Sequence, residues 1–179
     1  MTVEIVLTVI ARDRPGVVER VSEVIERHQG NWVDSSMARL GGEFAGILMI
    51  ELPEASVAPL EADLGALAKA GIDCMLRRDQ RAHPVSGRRA RLDITGVDHP
   101  GIIHEVSSAL ARQGVSIDSL ETRVFTGSMS GERMFAATLE IVVPADGSSE
   151  LLREALEEIA RDMMVDIDIE EQEPETMLA

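Results

Sequence analysis

The sequence predicts an α+β protein built from two tandem βαββαβ units, each an antiparallel four-stranded sheet with both helices on one face. Three observations lead there. The 179-residue chain matches itself in four blocks, each half reads as the same string of elements, and both halves place Asp-x-Pro-Gly at the same point. Ala11 to Val18 matches Gly96 to Ile103 at an offset of 85, and Gly30 and Asp34 match Gly114 and Asp118 at 84. Phe44 to Pro53 matches Phe135 to Pro144 at 91, with five of ten positions identical, and Ile72-Asp73 matches Val165-Asp166 at 93. Internal repetition that keeps order, spacing and residue type marks duplicated units, and the offsets change only where loops are expected.

Taken in order, Val3 to Ala11 is rich in β-branched residues that suit a pleated surface and reads as a strand. Pro15 then opens a helix, where its fixed φ is favourable and its missing N–H costs nothing. Val17, Val21, Val24, Ile25 and His28 recur at helical spacing and define its buried stripe, and Gly30 is expected to close it in the left-handed conformation. Residues 31–40 and 43–52 form two strands around the Gly41-Gly42 turn. Leu60, Leu64 and Leu67 mark a second helix ending near Gly71, and 72–78 is the last strand. The second copy runs 90–98, 100–113, 115–125, 132–143, 148–163 and 164–170, with Ile103, Val106, Leu110, Leu152, Leu156 and Ile159 on its buried stripes. This order is the split βαβ, or ferredoxin-like, plan, and right-handed crossovers put both helices on one face. The exposed edges of such sheets invite pairing between copies, so a homo-oligomer is expected.

The chain thus divides into domain one (1–78), an Arg-rich linker (79–89), domain two (90–170) and an acidic tail (171–179). Counting only Lys, Arg, Asp and Glu, residues 77–91 carry +5 and the rest of the chain −20. The basic stretch reads either as a solvated linker or as a handle for an acidic face.

Bulk composition narrows the function. A formal charge of −15, with three Phe, one Trp and no Tyr, is the opposite of a nucleic-acid footprint, so no direct nucleic-acid binding is expected. The single cysteine, Cys74, excludes an internal disulfide and falls in a predicted strand interior, where a thiol is usually an inert small hydrophobe. No stretch is long and apolar enough to span a membrane, and the first apolar run, Ile5 to Ala11, lacks the features of a signal peptide, so no membrane association and a cytoplasmic address are expected. There is no nucleophile elbow, no phosphate-cradling loop and no His-Glu-x-x-His, and His28, His83, His99 and His104 have no metal-site spacing. The chain is accordingly expected to be no enzyme and to need no cofactor or metal.

The feature that carries chemistry is the strand-to-helix turn, Asp13-Arg14-Pro15-Gly16 and again Asp98-His99-Pro100-Gly101. A helix N-terminus presents unpaired N–H groups and partial positive charge, which suit a carboxylate. Glycine allows close approach to the backbone, and the aspartate either caps the helix or accepts from a ligand ammonium. Carboxylate on amides and ammonium on oxygen is what an α-amino acid requires. Asn31 and Ser116, after the first helix of each copy, are short polar groups that serve either a ligand or their own turn. Trp32 reads as an interface anchor or as core.

These residues resemble the ACT domain family: a βαββαβ unit with Asp-x-Pro-Gly at the first strand-to-helix turn, then glycine and a small polar residue after the helix. The resemblance covers about 3–78 and 90–170. More narrowly, Asp13-Arg14-Pro15-Gly16 with Asp34 to Phe44 downstream is similar to glycine cleavage system transcriptional repressors, tandem-ACT proteins without a DNA-binding domain that act through a partner regulator. The resemblance implies a regulatory protein that binds a small amino acid, such as glycine or serine, at ACT–ACT interfaces and signals to a partner regulatory protein. Carried over residue by residue, it implies ligand contacts at Asp13, Gly16, Val17 and Asn31 in copy one, and at Asp98, Gly101, Ile102 and Ser116 in copy two. Two other readings stand beside it: a ligand-free assembly module, or a regulatory partner of an amino-acid metabolic enzyme. A similar Asp-Arg-Pro-Gly unit also opens formyltetrahydrofolate deformylases.

Overall fold

A computed structural model describes residues 1–78, 86–128 and 131–172. The chain divides into two compact units, Met1–Ala82 and His83–Ala179. The first contains strands β1 (Thr2–Arg12), β2 (Asn31–Leu40), β3 (Glu43–Pro53) and β4 (Ile72–Arg78), with helices α1 (Val17–Arg27) and α2 (Val57–Ala66), the latter continuing as a 3₁₀ turn, Leu67–Ala70. The second repeats this with β5 (Gly87–Val97), α3 (Ile102–Arg112), β6 (Ser116–Thr126), β7 (Arg133–Pro144), α4 (Ser149–Met163) and β8 (Val165–Glu171). Each sheet is four-stranded and antiparallel, in the orders β2-β3-β1-β4 and β6-β7-β5-β8. The expected α+β, ferredoxin-like architecture is therefore present twice.

Alternation along the strands puts one face of each sheet under the helices. In the first unit Ile5, Leu7, Leu48, Ile50 and Leu52 meet Val17, Val21, Val24, Ile25, Leu60 and Leu64, all buried. In the second, Leu92, Ile94, Leu139 and Ile141 meet Ile102, Val106, Leu110, Leu152 and Leu156. Among the described residues no polar or charged side chain is buried. Both cores therefore rest on apolar area, each fully buried Leu or Ile contributing roughly 1.5–3 kcal/mol. Trp32 packs against the first core. Cys74, in β4, is half-buried, and burial followed by the Asp73 charge pushes its thiol up to about 11, so it stays protonated.

Several local expectations are corrected. Pro15 and Pro100 lie before the helices; Gly16 (φ +90°) and Gly101 (φ +105°) are the N-cap residues, so neither glycine is inside its helix. The left-handed residue that ends α1 is Gln29 (φ +60°), whereas in copy two it is Gly114 (φ +68°). The next N–H, of Gly30 or Val115, donates back to the carbonyl of Ile25 or Leu110 at 2.9 and 3.0 Å, satisfying the helix end. Gly30 thus corresponds to Val115, and Asn31 to Ser116, at the same offset of 85 as the first block. Gly30 is small because a Cβ there would sit 2.7 Å from Ile25 Cγ2. A β-bulge follows in both copies, between Trp32 and Asp34 and between Ile117 and Ser119, so the bulged Asp118 corresponds to Val33 and Asp34 to Ser119.

The Arg-rich stretch is also partly strand. β5 begins at Gly87, and Arg88 and Arg89 lie within it, paired with Glu171 at 3.6 Å and Asp118 at 3.6 Å. Glu171 of the expected acidic tail belongs to β8, while residues 79–85 of the linker and 173–179 of the tail lie outside the described residues. Among the described residues no helix is long and apolar enough to cross a membrane.

Candidate functional site

The Asp-x-Pro-Gly turn is held the same way in both units. Its aspartate N–H donates to the hairpin, from Asp13 to the Gly42 carbonyl and from Asp98 to the Arg133 carbonyl, each at 2.9 Å. Its carboxylate is taken by an arginine of that hairpin: Arg39 Nε lies 3.2 Å from Asp13 Oδ1, and Arg133 Nε 2.7 Å from Asp98 Oδ2. The aspartates therefore do not cap α1 or α3, and neither helix has any side-chain cap.

The second residue of the turn ties it to the C-terminal end of the other helix. Arg14 donates from Nη2 to the Ala70 carbonyl, and His99 Nε2 lies 2.8 Å from the Met163 carbonyl. Carbonyls at a helix C-terminus carry partial negative charge, so a cation is the fitting partner. His99 Nδ1 also lies 3.2 Å from the Pro100 carbonyl. With both ring nitrogens facing acceptors the protonated ring is favoured: the Met163 carbonyl first, then that of Pro100, with the Asp98 charge assisting, raises the imidazole above its ordinary value of about 6.5. The turn of copy two is thus tied to the other helix by a pH-sensitive ring.

The sign follows. A folded pKa above the unfolded one stabilises fully below about pH 6.5 and loses that contribution as pH rises through the folded value. NMR titration is expected to place the His99 midpoint above 6.5, and His99→Gln to remove this part of the second unit's extra stability on the acid side. A midpoint at or below 6.5 would contradict the arrangement.

What remains at each turn is an uncapped helix N-terminus opened by a left-handed glycine. Val17 and Ile102 are buried in the cores, so only their backbone N–H groups face the turn. Near Gly16 the closest feature is the Glu19 carboxylate, 3.4 Å from where a Cβ would stand; near Gly101 it is Met163 Cε at 3.4 Å. The two turns therefore differ in lining, one acidic and one apolar.

Asn31 and Ser116 are not brought to these turns within one unit. Asn31 is level with Glu51 and Glu4, whereas the turn follows Arg12, eight residues further along β1. At about 3.3 Å per residue that is roughly 26 Å. Ser116, level with Val142 and Arg89, is as far from the turn that follows Val97. The reason is that α1 and α3 carry the chain back to the opposite end of the sheet. Conversely, Arg14, Arg39, His99 and Arg133 were passed over, although a cation at the second turn position in both copies and an arginine near each hairpin were visible signals. Among the described residues no group of His, Cys, Asp and Glu is placed to hold a metal.

A duplicated βαββαβ unit with this clamped turn defines a tandem ACT-domain protein. Residues 4–74 and residues 90–161 each match a profile described as ACT domain, and the chain belongs to that family. A curated UPF0237 protein of Methanopyrus kandleri is 36% identical over 77 residues, which are 41% of this chain and 86% of that protein. The solved structure of an unknown protein from Galdieria sulphuraria superposes with a TM-score of 0.82 at 28% identity, covering 97% of this chain and 100% of that one. Another, provisionally named a glycine cleavage system transcriptional repressor, gives 0.73 at 19% identity, covering 97% and 99%, and at that identity attests the fold.

Proposed function

We propose that the chain is a non-catalytic regulatory protein that senses a small amino acid, glycine or serine in size, at its Asp-x-Pro-Gly turns, and acts through contact with a partner regulatory protein as a transcriptional co-regulator of glycine cleavage. The observation that carries this reading is the uncapped N-terminus of α1 and of α3, each opened by a left-handed glycine and each in a turn clamped on both flanks. Such amides suit a carboxylate, and the rigid turn limits the ordering needed on binding. Asp13 and Asp98 supply the nearby oxygen for an ammonium. Gly16, Val17, Gly101 and Ile102 contribute backbone, and Asn31 and Ser116 enter from an ACT domain of an associated chain, which couples binding to association. Support for the glycine cleavage role comes from the name of the 19%-identical structure, which spans nearly the whole chain.

The competing reading is a ligand-free assembly module, favoured by the exposed edge strand β6. A thermal-shift screen against the twenty amino acids separates them. Ligand at about 100 times its Kd adds roughly 2.7 kcal/mol, a shift of several degrees for units of this size. A selective response to glycine, serine or another small amino acid is expected, and a flat response across all twenty would remove the sensing reading.

A further inference from the structure

The open faces of the two sheets, away from the helices, match position for position but differ in chemistry. In the first unit Val6, Thr8, Ser36, Ala38 and Ile47 lie there, all uncharged. Their counterparts in the second unit are Arg91, Asp93, Glu121, Arg123 and Thr138. The fold therefore has no need of charge at these positions. In the second unit these residues line a cavity of about 360 Å³, within the range of small-molecule pockets, roughly 300–1,000 Å³. The concavity has a simple cause. The middle strand β7 contributes the short side chains Ala136 and Thr138, and the longer ones of β5 and β6 stand on either side.

The two sides differ in how their charges are satisfied. On β5, Asp93 Oδ2 accepts from Arg91 Nε at 2.7 Å, and Oδ1 accepts from Arg91 Nη2 at 3.2 Å and from Thr138 Oγ1 at 2.6 Å. That pair neutralises itself. On β6, neither Glu121 nor Arg123 forms an ion pair among the described residues. The Arg123 guanidinium lies over the Phe125 ring, 5.4 Å from its centroid, and so leans away from Glu121. One cation and one anion are thus left over, two residues apart on one strand, about 7 Å. An anion alone would also face Glu121 and Asp93, and a metal ion would also face Arg91 and Arg123. A zwitterion satisfies both charges.

We propose that this cavity on the open face of the second sheet binds a zwitterion of dipeptide length, its carboxylate on Arg123 and its ammonium on Glu121. The planar guanidinium matches a carboxylate, and hydrogen bonds between charged groups are the strong ones. Two extended residues span about 7 Å, the spacing of Glu121 and Arg123, whereas the two charges of a single α-amino acid are adjacent. Ala136, paired with Arg123 across the strands, leaves room for the peptide group between the charged ends. No lining residue belongs to an Asp-x-Pro-Gly turn, and the site does not rest on sensing there.

NMR titration of the isotope-labelled full chain with glycylglycine tests it. Saturable shifts are expected at the amides of Thr95, Glu121, Arg123 and Thr138, and they should persist in G16V/G101V, where the turns are blocked. Glycylglycinamide, without the carboxylate, and N-acetylglycylglycine, without the ammonium, should each bind about tenfold more weakly or worse. Arg123→Gln should remove the preference for the free carboxylate and Glu121→Gln that for the free ammonium, both with unchanged far-UV circular dichroism. Ala136→Leu fills the cavity while keeping every charge, and should abolish saturation. No saturable shift at these amides with millimolar glycylglycine, blocked analogues that bind as well as the dipeptide, or a response unaltered in Arg123→Gln or Ala136→Leu would each overturn the proposal.

Discussion

Replacing Leu60 by alanine is expected to lower the stability of the first unit by about 2–5 kcal/mol, the range for emptying a well-packed leucine site. Leu60 is fully buried, where α2 packs into the core built from Ile5, Leu7, Leu48 and Ile50. The cavity would open between helix and sheet, and β-sheet backbone on one side leaves little freedom to collapse into it. Trp32, the single tryptophan of the chain, packs against this same core, so its fluorescence in a urea titration follows the first unit alone. Met75→Ala is the comparison: on the open face of β4 and 56% exposed, it should change stability by no more than about 0.5 kcal/mol. A loss at Leu60 no larger than that at Met75 would mean that α2 does not close the core.

Valine in place of both Gly16 and Gly101 is expected to cost each unit about 1–2 kcal/mol and to abolish any amino-acid response. The N-cap backbone sits at φ +90° and +105°, a region that a β-branched residue enters only under strain. The new side chain would also stand over the amides of the helix N-terminus, within contact distance of the Glu19 carboxylate in one copy and the Met163 methyl in the other. Because the Arg39–Asp13 and Arg133–Asp98 pairs hold the turns from the hairpin side, the variant should remain folded. Its melting temperature should then be the same with and without the amino acid that shifts the parent. A parent-sized ligand shift in the folded double variant would place the ligand elsewhere.

Much of this molecule was legible in the amino-acid order. The duplicated blocks announced two units, because a repeated sequence repeats its local preferences. The stripe Val17, Val21, Val24, Ile25 is buried as its helical spacing predicts, and in copy two Val106 and Leu110 are fully buried. Ile102, the counterpart of Val17 at the offset of 85, is buried in place of the expected Ile103, which only packs against the core. His28, expected on the first stripe, sits at its rim. Its Nε2 lies 2.9 Å from Asp63 Oδ2, and that contact, with Arg27, holds the Asp63 carboxyl below its ordinary value.

Periodicity could not show which end of a sheet a residue reaches. Asn31 follows Gly16 by fifteen positions and reads as its neighbour, yet α1 runs back along the sheet and sets the two at opposite ends. Nor could it show the clamps, which join Arg14 to Ala70, His99 to Met163 and Arg133 to Asp98 across gaps closed only by the packed sheet and helices. By itself the sequence determined the two units, their elements and their buried faces, because these depend on spacing between near neighbours. The tertiary structure alone decided the bulged register, the ends of the helices and the residues that meet at each turn, because those depend on contacts between segments far apart in the chain.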